Sequence, residues 1–211
     1  MRSAFILMVS LFILSKISVA KTAFKKEIDS TSSKILIINS FDAQSMKARK
    51  NKKELFGELA DRIKYTLQNE LITKNNIEAK IIPELIANAS ENDSVYIDLI
   101  NKHAASKAIV IKNLNAYFEQ TGVEVTKEAN GKKRVASYDI HADVTYLLLN
   151  DSARVKESEV SVWEFFTERS VVSGFLAAGP DIVGKSKHAF KIIEKNAVQY
   201  RREIQSYLTN D

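Results

Sequence analysis

The octapeptide Gly179-Pro180-Asp181-Ile182-Val183-Gly184-Lys185-Ser186 holds the residue types that phosphate binding uses. Gly, four residues, then Gly-Lys-Ser is the phosphate-loop spacing. In such loops, successive backbone N–H groups and the next helix's N-terminus cradle the phosphates, the lysine reaches the outer ones, and the hydroxyl holds magnesium. Read that way, Gly179, Gly184, Lys185 and Ser186 would bind a nucleotide, and the chain would be a P-loop enzyme. Two features of the sequence weigh against it. Pro180 removes one N–H from the cradle. Only 25 residues follow Ser186, all readable as one helix, so no later strand supplies the acidic partner of the magnesium. The preferred reading is a Gly/Pro connection with Ser186 near a helix cap.

Asp139-x-His141-x-Asp143 offers metal-ligating side chains on one strand face. Same-face neighbours lie about 6.5 to 7 Å apart along a strand, whereas ligands of one metal must all come within about 2.0 to 2.2 Å of it. Alternation alone explains the triplet as a solvated face, and no metal or other cofactor is expected. Lys47, Arg49, Lys50, Lys52 and Lys53 crowd the entry to a predicted helix, where the helix dipole favours acids. That cluster is the candidate binding site, suited to an acidic protein face or a lipid head group. The three histidines, His103, His141 and His188, accompany neither a G-x-S-x-G sequence nor any cysteine, so no hydrolase signature exists. Trp163, Phe165 and Phe166, with Tyr117, Phe118 and Phe175, read as core and edge aromatics rather than as a ligand platform.

The elements that must hold these residues begin with Lys34 to Phe41, a β-branched apolar run suited to a strand buried on both faces. From Lys53 to Thr73, Leu55, Phe56, Leu59, Ile63, Leu67 and Leu71 recur at helical spacing. Ile77 to Ile82 reads as a second strand ended by Pro83. Asp93 or Ser94 can cap a helix whose Tyr96, Ile97, Ile100 and Ala104 share a face. A third strand opens at Ala108, after which the period changes to two. Ala116 to Glu128, Lys133 to Asn150 and Arg154 to Arg169 then form an antiparallel meander turning at Asn130-Gly131 and Asn150-Asp151. In its middle strand Tyr138, Ile140, Ala142, Val144, Tyr146 and Leu148 face a core, and Asp139, His141, Asp143 and Thr145 face water. A helix from about Lys185 to Leu208, with Ile193, Ala197, Tyr200, Ile204 and Leu208 inward, closes the chain. The expectation is an α/β (α+β) single-domain sandwich with a mixed sheet over 34–211.

The first twenty residues bear on compartment. Arg2 gives a basic start, Ala4 to Leu14 is apolar apart from Ser10, and Ser18-Val19-Ala20 suits a signal peptidase. About eleven apolar residues are too few to span a roughly 30 Å hydrocarbon core, so cleavage after Ala20 is expected and no transmembrane anchor remains. Lys21 to Ser33, polar and without apolar periodicity, is expected to be a flexible linker. Loss of Arg2 and Lys16 lowers the net charge from +5 to +3, a mild excess that argues against a nucleic-acid partner. The chain has no cysteine, so an exported fold must rely on burial alone. Asn88, Asn92 and Asn150 head Asn-x-Ser triplets, yet a cysteine-free secreted eukaryotic domain of this size is unusual. A periplasmic location is expected, with a secreted one as the alternative. Export also separates the Gly179 to Ser186 segment from cytoplasmic ATP and GTP.

A signal, an apolar strand ending Asn39-Ser40-Phe41, a long helix opening near Leu55-Phe56, a second strand, a helix, a strand-rich half and a closing helix follow one another. This order resembles the small exported α/β domains of bacterial envelope proteins, such as the amino-terminal domain of the Tol-system propeller protein and the curli secretion lipoprotein. The missing lipidation cysteine departs from the lipoproteins of that group. The resemblance implies a non-enzymatic accessory or assembly protein that docks to an envelope protein partner, and it carries no residue role. Two alternatives stand beside it: the P-loop enzyme, and a periplasmic module for a small ligand. A nucleotide enzyme needs an acidic residue beside Ser186, a ligand module needs a concave pocket, and a docking protein needs an exposed apolar or edge-strand patch.

Overall fold

The computed structural model describes residues 33–86, 93–128, 131–170 and 182–208. The expected signal segment, the linker apart from Ser33, Asn88, Asn92, Phe175 and Gly179 to Asp181 lie outside them. Five strands form one mixed sheet: β1 (Lys34–Asn39), β2 (Glu78–Leu85), β3 (Lys107–Glu128), β4 (Gly131–Asn150) and β5 (Arg154–Ser170), in the order β2-β1-β3-β4-β5. The helices are α1 (Lys50–Asn75), α2 (Ser94–Lys102), α3 (Ser186–Glu203) and the short α4 (Gln205–Leu208). This is the expected α/β architecture.

β1 runs parallel to both neighbours, and β3, β4 and β5 run antiparallel. The crossover from β1 to β2 through α1 and the return from β2 to β3 through α2 run in opposite directions across the sheet. Crossovers of one hand then place their helices on opposite faces. One face accordingly packs Ile35, Ile37, Ile109, Ile111, Val144, Tyr146 and Leu148 against α1 and α3. The other packs Leu36, Ile38, Ala108, Val110, Leu147 and Leu149 against Tyr96 and Ile100 of α2. Every side chain from Ile35 to Ile38 is fully buried, as a central strand requires.

Several elements differ from expectation. β2 continues past Pro83, because it is an edge strand and its register against β1 slips between Ile37 and Asn39, where a missing N–H is tolerated. Asp93 is the N-cap of α2 but makes no side-chain cap bond, because Arg154 holds both of its carboxylate oxygens, each at 2.9 Å. The closing helix is broken at Ile204, which nevertheless stays fully buried with Ile193 and Ala197, so the inner stripe continues into α4.

β3 is a single strand of 22 residues rather than two pieces. Its first segment, Lys107 to Ile111, pairs with β1 on one edge and β4 on the other; bulges at Ile111/Asn113 and Gln120/Gly122 bend the remainder of the strand. The turn after β4 is fastened by Asn150, whose Oδ1 accepts from Ser152 N at 3.0 Å and Ala153 N at 2.7 Å. The register then shifts once, between Leu148 and Leu149, and that shift sets which β5 residues share a face with which β4 residues.

Candidate functional site

The register places Tyr117, His141 and Trp163 side by side across β3, β4 and β5, and Glu119, Asp139 and Phe165 in the next row. Both rows lie on the face that α2 covers farther down the sheet, and no helix among the described residues reaches them. Trp163 is 63% exposed, Phe165 56% and Tyr117 37%. Tyr117 stacks flat on His141 with ring centroids 4.8 Å apart. Burial, followed by the charges of Asp143 and Glu119, raises the Tyr117 phenol above its ordinary pKa. Glu119 Oε2 lies 3.3 Å from His141 Nε2. The result is an aromatic strip, held on paired strands and edged by carboxylates.

Phe118 and Phe166 point the other way. They pack with Tyr138 on the helix-covered face, as expected of core aromatics. Trp163 and Phe165 occupy the edge strand, but their exposed side makes them a surface. Alternation counted from the Asn150 turn would put them on the packed face; the register shift between Leu148 and Leu149 is what brings them level with His141 and Asp139. Asp139, His141 and Asp143 themselves stay spaced along β4, and among the described residues no three His, Asp or Glu side chains gather as a metal would need.

The basic cluster sits at the start of α1, whose first turn holds no acid and whose N-cap, Arg49, makes no side-chain cap bond. Lys47, Arg49 and Lys50 are exposed. Local contacts offset part of the charge. Lys50 lies 3.7 Å from Glu54, Lys52 stands over the Phe56 ring at 5.6 Å, and Lys53 donates to the Gln44 carbonyl.

Close by, a cavity of about 340 Å³ opens at the carboxyl end of β1, lined by Ser40, Phe41, Asp42, Met46, Lys112 and Asn113 among others. The chain leaves β1 for β2 on one side, and β3, reached from β2, lies on the other, so this is the strand-order switch at which open α/β sheets bind ligands. Its polar groups are already engaged. Ser40 Oγ donates to the Ile86 carbonyl at 3.0 Å and accepts from the Tyr96 hydroxyl at 2.8 Å. Asp42 Oδ1 accepts from Gln44 N, Asn113 Oδ1 from Leu114 N, and Lys112 lies 3.1 Å from Glu157.

Of the phosphate-loop residues, Gly184, Lys185 and Ser186 are described. Lys185 caps α3, and its Nζ stands 5.7 Å from the centroid of the Phe166 ring, on the helix-covered side of the sheet. Ile182 is buried in the core, and Ser186 opens α3. Ile182 and Lys185 thus make packing contacts, while Gly184 is exposed.

No family model matches the chain, and no curated protein does. Solved structures that resemble it include a minor lipoprotein from Acinetobacter baumannii, at 9% identity and a TM-score of 0.43, covering 83% of this chain and 94% of that one. The rare lipoprotein B from Shewanella oneidensis has 8% identity and a TM-score of 0.37, with coverage of 83% and 93%. A putative neuraminyllactose-binding hemagglutinin homolog from Helicobacter pylori has 10% identity and a TM-score of 0.39, with coverage of 81% and 83%. Likeness at this level transfers no residue role to this chain.

Proposed function

We propose that the protein is a non-enzymatic periplasmic accessory or assembly factor that docks to another protein of the cell envelope. The observation that carries this reading is the uncovered aromatic strip of Tyr117, Trp163 and Phe165. Isolated exposed apolar residues are ordinary, but adjacent large aromatics on a rigid sheet are the surface that partner proteins cover. A basic start and an apolar stretch before Ala20 support export. The stretch from Lys47 to Lys53, which runs into the first turn of α1, serves as a second, electrostatic contact, which acts on encounter more than on affinity because exposed charges are screened beyond about 8 Å at physiological salt.

Crosslinking in intact cells tests the reading. The variant Trp163→Ala with Phe165→Ala is expected to lose the protein–protein adduct while melting at the parental temperature, since both side chains stand in solvent. The variant with Lys50, Lys52 and Lys53 changed to Glu is expected to give a weaker adduct. An undiminished adduct in the aromatic variant would remove the basis for the reading.

A further inference from the structure

The strip's surroundings define the chemistry of what it takes. Four successive rows cross the open face: Asn113, Thr145 and Glu159; Asn115, Asp143 and Ser161; Tyr117, His141 and Trp163; Glu119, Asp139 and Phe165. None of these positions is a lysine or an arginine, although the chain as a whole carries a net charge of +5. Carboxylates therefore stand on both sides of the aromatic row along the strands, at the roughly 6.5 to 7 Å same-face spacing. Among the described residues, His141 is the one basic group within ion-pair distance of Glu119, and no Lys or Arg pairs with Glu119, Asp139, Asp143 or Glu159.

We infer that this face binds an arginine-bearing segment of a partner protein; the inference rests on the docking reading and gives the partner its chemistry. A guanidinium is flat, weakly hydrated and permanently charged. It can lie on an aromatic ring while its N–H groups reach a carboxylate, and a ring row flanked by carboxylates offers both at once. An anionic lipid surface or an acidic peptide would meet repulsion here. A neutral sugar could use the rings but would gain nothing from the charge. The exposed part of Trp163 and Phe165 supplies the apolar contact, and the Asp139 and Asp143 carboxylates set the preference for a cation.

The chain holds one tryptophan, Trp163, so its fluorescence reports this face alone. The probes are an arginine-glycine repeat peptide, a glutamate-glycine repeat peptide of equal length and a neutral oligosaccharide, each titrated into the full exported chain. The arginine peptide is expected to change the emission saturably and to bind more weakly as salt rises. Replacing Asp139→Asn and Asp143→Asn together, with the melting temperature unchanged, is expected to weaken it about fivefold or more, the scale of exposed charge pairs. A response to the oligosaccharide or the glutamate peptide with none to the arginine peptide overturns the cationic partner and leaves docking intact. Binding of the arginine peptide that is indifferent to the two Asn substitutions overturns it as well. Docking itself fails by the separate criterion that the cellular adduct survives loss of Trp163 and Phe165.

Discussion

Asn196 shows how single residues set the stability of this fold. It is fully buried on α3, its Nδ2 donates to the Ala142 and Val160 carbonyls at 2.9 and 2.6 Å, and its Oδ1 accepts from the Tyr146 hydroxyl at 2.9 Å. Tyr146 in turn stacks on Tyr200 with centroids 3.9 Å apart, and burial drives its phenol pKa upward. Asn196→Ala leaves several polar groups buried and unpaired, each costing about 1–3 kcal/mol. Chemical denaturation is therefore expected to show a loss of about 2–4 kcal/mol, with a smaller loss for Tyr146→Phe; equal stability of Asn196→Ala and the parent would contradict it. Glu164 makes a pH-dependent contribution. Hydrogen bonds from Lys191 and then Lys195 hold its pKa below the usual glutamate range. A depressed carboxyl stabilises above its unfolded pKa and loses that effect as pH falls through its folded pKa. The melting temperature of Glu164→Gln should thus lie below the parent's at pH 7, by the equivalent of about 0.2–1 kcal/mol, and converge with it in acid. Neither residue announced its role in the sequence, because Asn196 and Glu164 read as ordinary helix and strand polar positions until packing aligns α3 with β4 and β5.

Among the elements, α3 joins the two halves of the helical layer. Arg201 lies 2.9 Å from Glu70 and Arg62 lies 3.4 Å from Glu194, so α1 and α3 are tied at two levels above a continuous apolar seam. Ile193→Ala is expected to cost about 2–5 kcal/mol, the lost transfer energy plus the cavity left in a fully buried site, read as a shift in denaturation midpoint. An unshifted midpoint would mean that α3 does not rest on the sheet. Periodicity made α1, α3 and the meander legible, because one-sided burial imprints a period of 3.6 or 2 on the residues. What periodicity could not convey was pairing. Pro83 read as a strand end until β2 took an edge position, and β3 read as two pieces because a bulge shifts the alternation by one. The same gap concealed the candidate site: Trp163 and Phe165 lie in alternate positions of a strand whose facing depends on register, and apolar side chains on a strand read by default as core.

At the scale of the whole molecule, the two sheet faces have different fates. Two long helices close one of them, and α2 closes only the part of the other built on β1, β2, the start of β3 and the end of β4. The aromatic strip stands beyond that cover, so the chain presents a rigid, ready surface that its own described elements leave unused. No helix among the described residues is long and apolar enough to cross a membrane. The most direct measurement of the docking claim is site-resolved photocrosslinking in intact cells, with a photoreactive residue placed either at Trp163 or at Tyr65. Both positions are 63% exposed, and Tyr65 stands on α1, away from the strip. The structure predicts a discrete protein adduct from position 163 and none from position 65. Adducts from position 65 alone, or equal adducts from both, would contradict the assignment of the open sheet face as the docking surface.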